Sequence, residues 1–347
     1  MLRDSLLRKT WRSLKRVICK VFHHDHCFDG ACSAALFTRF HRECVGRGAF
    51  TYVYEGLMHR AGALFDEARF SGDENAIVDF KYSPSSRLTW WFDHHLSAFL
   101  TPEDQADFDR GQADGTDTMR KFFNPSYTSC TGWIAHVANT RFGMDTAPLG
   151  DLIHWADIVD GARYDSAEAA VELRAPAMRL TMVIESSTDE TLIKRLIPLL
   201  TEQSLDDVLA QEFVQKELGP LLEQHRRMIE LIRERSRVEA GVITFDITDQ
   251  PTEAYNKFIP YSLHPEGIYN VGLSRSSFRT KVAVGTNPWT PLPSSELINL
   301  AEICERYGGG GHARVGAISF PPDREDDARE AAAEIIAELR ETGEAAG

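Results

Sequence analysis

The sequence predicts an α/β protein of two domains, an N-terminal parallel sheet with helices on both faces and a smaller C-terminal domain with a mixed sheet. Three observations predict this fold. Short β-branched and aromatic runs alternate with helical periods in the first half of the chain. A long helical stretch at 188–236 follows, and a second group of predicted strands comes after it. The 347 residues also exceed the usual size of one core, about 100–200 residues.

The N-terminal half alternates strands with helices. Residues 1–16 are interpreted as a basic, solvated arm, with an amphipathic helix for a membrane or partner as the alternative. The predicted strands are VICKVF from Val17, AIVDF at 76–80 and LTWWFDHH at 88–95, and the helices are ACSAALFTRFHREC, 130–141 and 146–158. This order is typical of a parallel sheet, so residues 17–187 are predicted to form the first domain.

The second half begins with a helical linker at 188–236, rich in Glu, Leu, Lys and Arg. Residues 237–347 then form the predicted smaller domain. Its predicted strands are VEAGVITFDI, IYNVGLSRSS, FRTKVAVGTN and RVGAISF, and its helices are SELINLAEICERY and REDDAREAAAEIIAELRE. Strands and helices in this mixture predict a mixed sheet covered by helices.

The charge of the chain limits its partners. The first 20 residues carry seven Lys/Arg against one Asp, and the rest carries 31 against 51, a formal charge of −20. Long duplex nucleic acid is therefore excluded as the expected partner, because binding it requires many cations. No apolar run is long enough to span a membrane, and the six cysteines show no CxxC pair, so we expect a cytoplasmic protein with reduced thiols.

Polar clusters follow the predicted strands, at the end where ligands bind in open α/β sheets. They are HHDHCFDG at 23–30, Asp79, and the triplet Asp93-His94-His95; a later helix adds HWADIVDG at 154–161, with Asp157 and Asp160. Carboxylates and imidazoles converging from four segments indicate a two-metal hydrolase site, best suited to Mn²⁺ or Mg²⁺.

Each cluster alone has a simpler interpretation. Asp29 fits an N-cap, Asp93 fits a residue that orients a histidine, and a His-His pair fits an exposed loop. The functional interpretation depends on the four clusters falling at successive strand ends.

At this point the sequence resembles a known family, the DHH phosphoesterases, named for the triplet found here at 93–95 in FDHH. The resemblance also covers HHDHCFDGACSA (23–34), VDF (78–80), WADIVDG (155–161) and RYGGGGHARVGA (306–317), which is similar to the GGGH signature of the DHH-associated C-terminal domain. It implies a two-manganese site in the N-terminal domain, a substrate-binding C-terminal domain, and a cleft at their junction. The nearest resemblance is to oligoribonuclease and pAp phosphatase-like members.

The resemblance also implies a set of metal ligands, with Asp79 bridging both ions and His94 on the second ion. The implied ligands are His24, Asp29, Asp79, His94 and Asp157. The chain departs from the commoner family pattern in having Cys27 two residues before Asp29, where a second Asp is usual. A thiol is a poorer ligand for manganese than a carboxylate. The residue that completes the first metal site is therefore left open among His23, Asp25 and Cys27.

In the chemistry that the resemblance implies, a hydroxide bridging the ions attacks phosphorus. His95 then hydrogen-bonds the phosphate or the leaving oxygen, and Asp93 orients the histidine pair. Backbone amides of Gly310 and Gly311, with His312, are expected to hold the substrate. Arg275 is expected to join them, in an anion site with His312 and Arg314, and Arg279 is a weaker candidate.

The sequence therefore predicts a phosphoesterase acting on a small phosphorylated substrate, such as short oligoribonucleotides or pAp. Hydrolysis of polyphosphate or pyrophosphate is the alternative reaction. A catalytically weakened nucleotide-binding regulatory protein is the alternative class, because of Cys27. The sequence leaves the oligomeric state open, with a homodimer as one expectation.

Overall fold

A computed structural model describes residues 17–46, 49–59, 64–189 and 191–345, with side chains as far as 341. The basic arm predicted at 1–16 lies outside the described residues. The chain divides into two compact units. The first contains the residues up to Arg163 and Ala175–Glu217, and the second contains Tyr164–Arg174 and the chain from Leu218. The domain limits drawn at 187 and 236 stay a prediction.

The first unit contains a five-stranded sheet in the order β2-β1-β3-β4-β5, with every pair parallel. The strands are β1 Val17–His24, β2 Phe50–Leu57, β3 Glu74–Val78, β4 Trp90–Asp93 and β5 Lys121–Phe123. The strands β1, β3 and β4 were predicted. The edge strands β2 and β5 were not.

Twelve α-helices lie in the described residues. In chain order they are α1 Phe28–Phe40, α2 Pro102–Ala113, α3 Cys130–Phe142, α4 Gly150–Asp160, α5 Ala167–Glu172, α6 Pro176–Ser186, α7 Leu192–Glu202, α8 Leu205–Leu209, α9 Glu212–Arg235, α10 Ile259–Leu263, α11 Leu300–Arg306 and α12 Glu325–Ala345. The segment expected to be a helical linker contains α7, α8 and α9. No helix of the described chain combines the length and apolar character needed to cross a bilayer.

Helices cover both faces of the first sheet, as predicted. Alternate residues of a strand point to opposite faces, so Trp90 and Trp91 pack on different sides. Phe37 of α1 contacts Trp90, with ring centroids 6.1 Å apart, whereas Phe108 of α2 contacts Trp91 at 5.3 Å. The sheet is therefore packed on both faces, which explains its mostly apolar strand interiors.

The second unit contains a six-stranded mixed sheet in the order β10-β11-β9-β8-β7-β6. The strands are β6 Arg237–Glu239, β7 Val242–Asp246, β8 Tyr269–Arg275, β9 Thr280–Thr286, β10 Gly310–His312 and β11 Val315–Phe320. Only β7 and β8 pair in parallel. One face packs on α11 and α12 through a core that includes Val271, Val282, Ile303 and Ile335. The predicted mixed sheet is confirmed.

Candidate metal centre

The register of the parallel strands brings three of the predicted polar clusters to one edge. His23 pairs with Val78, and Val78 pairs with Phe92, so the carboxyl ends of β1, β3 and β4 are level. The next residues along these strands are His24, Asp79 and Asp93. The register of the strands thus brings these three residues to one edge of the sheet.

Asp79 occupies the centre of this edge. It is buried, its backbone N–H donates to the carbonyl of Phe92 at 2.9 Å, and its φ of 56° lies in the left-handed region. One carboxylate oxygen lies 3.5 Å from His24 Nδ1, and the other lies 3.5 Å from His94 Nε2. That second oxygen, Oδ1, has no hydrogen-bond partner among the described residues.

His94 points one ring nitrogen at the carboxylates. Its Nδ1 lies 3.1 Å from the carbonyl of Tyr127, which can only accept, so Nδ1 carries the proton. Nε2 lies 3.5 Å from Asp79, 3.5 Å from Asp160 and 3.8 Å from Asp29. In the neutral ring the Nε2 lone pair faces three carboxylates and finds no hydrogen-bond partner in the described chain, as expected of a metal ligand.

Asp29 is held in the first turn of α1. Its carboxylate accepts hydrogen bonds from the backbone N–H groups of Cys130, at 2.7 Å, and Thr131, at 3.0 Å, where α3 begins. Gly30 allows α1 to lie against β1, since a Cβ there would come within 2.2 Å of the carbonyl oxygen of His24. The CxDG spacing therefore places the carboxylate beside the strand ends.

On α4 the structure brings Asp160, not Asp157, into the cluster. Asp160 Oδ2 reaches His94, whereas Asp157 Oδ1 accepts a 2.6 Å hydrogen bond from Ser129 Oγ. Ser129 is the N-cap of α3, accepting from the N–H of Gly132, so Asp157 supports the start of that helix. The structure therefore brings Asp160 to the cluster in place of the expected Asp157, and the assignment of either as an ion ligand stays a prediction. The two carboxylates lie three residues apart on one helix, and helical spacing alone does not distinguish them.

His24 is the histidine of the first motif that reaches the site. His24 Nδ1, Cys27 Sγ and an Asp79 oxygen form one group that could hold an ion, and Cys27 Sγ lies 3.7 Å from Asp79 Oδ2. His23 is buried, with its Nδ1 3.0 Å from the carbonyl of His24, and Asp25 accepts the backbone N–H of His26. Of the three alternatives left open, only Cys27 lies beside the ligand atoms.

His95 and Asp93 form a hydrogen-bonded pair at the edge of the cluster. His95 Nδ1 lies 2.7 Å from Asp93 Oδ1, which also accepts the backbone N–H of His94 at 2.8 Å. His95 Nδ1 also lies 3.9 Å from Asp79, but the shorter contact to Asp93 occupies it. Since His95 is 38% exposed, its Nε2 remains available to a ligand.

The electrostatics of the cluster favour bound cations. Burial, followed by Asp79 and Asp160, raises the pKa of Asp29 well above its usual range. Burial and Asp79 likewise raise the pKa of Asp160 to about 6. Burial opposes the charge of His94, but Asp79 and Asp29 raise its pKa to about 10. Three crowded carboxylates share too few cationic partners, so divalent ions would lower the energy of the site.

The residues present fit a pair of divalent ions. Their ligand atoms form three groups, each with all atoms within 4.8 Å of one another: His24, Cys27 and Asp79; Asp79, His94 and His95; Asp29, His94 and Asp160. Asp79 belongs to two of these groups. The unpaired Asp79 Oδ1 and His94 Nε2 face each other where an ion would lie. Carboxylate and imidazole donors suit Mn²⁺ or Mg²⁺, and the single thiol is the exception.

His59, which follows the edge strand β2, lies near the cluster and was not among the residues predicted from the sequence. Its ring stacks on Phe80, with centroids 4.7 Å apart, and meets the ring of His24 edge-on at 5.0 Å. Burial, with His24 and Lys81 nearby, lowers the pKa of His59. The aromatic and β-branched run FTYVYEGL before His59 is typical of a strand, and a histidine after a strand would have been predicted at the same edge as the cluster. That run was not recognised as a strand.

The second unit separates the predicted substrate residues. Gly310, Gly311 and His312 form the edge strand β10, paired with β11, whereas Gly308, in a turn, and Gly309 precede the strand. His312 is level with Asn270 at the start of β8, whereas Arg275 ends β8, about 17 Å further along that strand at ~3.4 Å per residue. Arg275 pairs with Glu325 at 3.3 Å. The single anion site expected from Arg275 and His312 is therefore not formed.

The other two arginines expected near this site also have partners. Arg314 donates to the carbonyl of Ser294 at 2.8 Å, and Arg279 donates to Ser319 Oγ at 3.0 Å. Of the expected substrate residues, the glycine strand and His312 thus remain together at one end of the sheet.

With this geometry in place, the chain can be compared with known proteins. No protein-family model matches it, and no curated protein does. Among solved structures, a pGpG-specific phosphodiesterase, PggH of Vibrio cholerae, superposes with a TM-score of 0.64 at 19% identity, covering 94% of this chain and 99% of that one. A DHH domain described as a member of the s1p family of ribosomal proteins gives 0.51 at 16% identity, covering 92% and 86%.

These likenesses extend over nearly the whole chain and concern its fold. They include the parallel sheet whose strand ends carry the cluster and the mixed sheet that follows it. The FDHH triplet lies at the level where the strands end. The resemblance that the five motifs carry is thus confirmed in three dimensions, and the chain has the DHH fold.

Proposed function

We propose that the chain is a metal-dependent phosphoesterase that hydrolyses a small phosphorylated substrate. One observation carries the proposal: ligand atoms from four segments converge on the buried, unpaired Asp79 Oδ1 and His94 Nε2. When bound, two divalent ions would activate water and neutralise charge on the phosphoryl oxygens. The similarity to a phosphodiesterase that bears the name pGpG-specific supports the reaction class and favours a short nucleotide.

The residues of the chain have distinct roles in this proposal. His24, Asp29, Asp79, His94 and Asp160 hold the ions. Asp93 fixes the ring of His95 through Nδ1, so that Nε2 can donate a proton to a phosphoryl or leaving oxygen. Burial around Asp79 and Asp29 excludes bulk water, which strengthens these charged interactions.

The substrate and the ion are tested together by a release assay. The purified chain is incubated with Mn²⁺ or Mg²⁺ and with pGpG, other dinucleotides, pAp, cyclic dinucleotides, pyrophosphate and polyphosphate. We expect release from a short nucleotide, with Mn²⁺ the better ion. Release from polyphosphate alone would favour the alternative hydrolase, and no release with fewer than two ions per chain would favour a binding protein. The cytoplasmic location and a homodimer stay predictions.

The thiol in the first ligand group gives a prediction about metal affinity. We expect Cys27→Asp to tighten Mn²⁺ binding by about tenfold, because a carboxylate is a harder donor and adds negative charge. Calorimetric titration of metal-free protein measures the change. Cys27→Ser is the control, since it removes sulfur without adding charge. Equal affinity and stoichiometry for wild type and Cys27→Asp would show that residue 27 contributes nothing to the ion.

The second unit gives a prediction about the substrate. We expect His312→Ala to raise KM by about tenfold while two ions per chain remain bound, because His312 would contact the substrate and not the ions. Arg275→Ala is the matched comparison, since Arg275 lies at the other end of the sheet and should change KM less than about twofold. Loss of manganese from His312→Ala, measured by elemental analysis, would refute this assignment.

A further inference from the structure

We infer that His59 and Lys81 bind a second phosphate of the substrate, next to the one that is hydrolysed. The inference rests on the proposed function and narrows its substrate class. Neither residue belongs to the three groups of candidate ion ligands. Both lie beside those groups, His59 after β2 and Lys81 two residues after Asp79.

A row of rings connects the catalytic edge with His59. The ring of His95 lies 6.5 Å from that of His24, and His24 lies 5.0 Å from His59. His59 is held in place by stacking on Phe80, yet it is exposed. His95 at one end of the row is also open to solvent. A ligand seated on His95 can therefore extend toward His59 without displacing a buried group.

Lys81 adds a fixed positive charge to the same row. It follows Phe80 directly, and its Nζ donates to the carbonyl of Ser97, two residues beyond His95. Within the described residues, neither Lys81 nor His59 forms an ion pair with a carboxylate. Outside its first 20 residues the chain has a formal charge of −20, so a lysine with no ion pair in the described chain stands out, and the ring of His59 near it can donate a hydrogen bond. Such a pair beside a phosphoryl-transfer site suits a second phosphate.

Exposed apolar residues next in sequence to His95 and His59 favour a nucleotide over an inorganic chain of phosphates. Leu96 follows His95 and is 90% exposed, and Met58 precedes His59 and is 61% exposed. A nucleobase could cover this apolar surface, and polyphosphate has nothing that could. The substrate class is therefore a dinucleotide that carries a 5′-phosphate next to its phosphodiester.

The test compares two substrates that differ only in the second phosphate, pGpG and GpG. For wild type we expect higher kcat/KM with pGpG. We expect His59→Ala and Lys81→Gln each to reduce the ratio of the two kcat/KM values by about tenfold, through KM for pGpG. The control is His154→Ala, which removes an exposed histidine from α4. Manganese content and melting temperature should match wild type in all variants.

The outcomes separate the inference from the proposed function. If wild type hydrolyses both dinucleotides equally well, or if the variants keep the wild-type ratio, the inference is wrong and the phosphoesterase stands. An equal loss on pGpG and GpG would also overturn it, because the two residues would then act on the shared part of the substrate. If wild type hydrolyses neither dinucleotide, the proposed dinucleotide reaction and the inference fall together.

Discussion

Asp79→Ala should lower kcat by about 10³-fold or more, because the carboxylate belongs to two of the three ligand groups. Its loss would remove a ligand from both ions and leave His24 and His94 facing an empty position. We also expect the variant to bind fewer than two manganese ions per chain, measured by elemental analysis beside the hydrolysis assay. Turnover above about a tenth of wild type would contradict a shared ligand.

Two further variants distinguish the loss of an ion ligand from a folding defect. Asp79→Asn keeps the shape of the side chain and suits the left-handed backbone, so it should fold like wild type and still lose activity. Asp109→Ala removes an exposed carboxylate from α2 and should leave turnover unchanged. A folded, metal-loaded and active Asp79→Asn would rule out the central role given to Asp79.

Asp160→Ala and Asp157→Ala should behave differently although they lie one turn apart. We expect Asp160→Ala to lower kcat/KM by about 10²-fold and to weaken one manganese site, since Asp160 faces His94. Asp157→Ala should keep both ions and most activity, and lose stability by about 1 kcal/mol, because Ser129 loses its acceptor. Kinetics, metal analysis and thermal unfolding of both variants decide the matter. The reverse pattern would restore Asp157 as the ligand.

The sequence was sufficient to predict the three central strands of the first sheet and most of the residues in the cluster. Apolar runs that end in His24, Asp79 and Asp93 predict strands, and parallel strands bring their carboxyl ends to one edge whatever the length of the connections. The placement of these residues therefore follows from local pattern and one topological rule.

The remaining features depend on packing and register, which local pattern does not contain. Asp157 and Asp160 lie three residues apart on one helix, and their contacts distinguish them, Ser129 with Asp157 and His94 with Asp160. Arg275 and His312 both lie at the carboxyl ends of strands, but antiparallel pairing puts those two strand ends at opposite ends of the sheet. The glycine run has the composition of a loop, but pairing with β11 makes its second half, Gly310 and Gly311, part of a strand.

The positive φ of Asp79 costs the fold stability at the centre of the cluster. A non-glycine residue in the left-handed region costs roughly 1 kcal/mol or more, and glycine would relieve it. Burial opposes the charge of Asp79, and that charge repels Asp29 and Asp160, whereas His24 and His94 stabilise it and lower its pKa. A carboxylate at a strained backbone position is what the proposed role of Asp79 as a shared ion ligand requires, and it costs the scaffold stability.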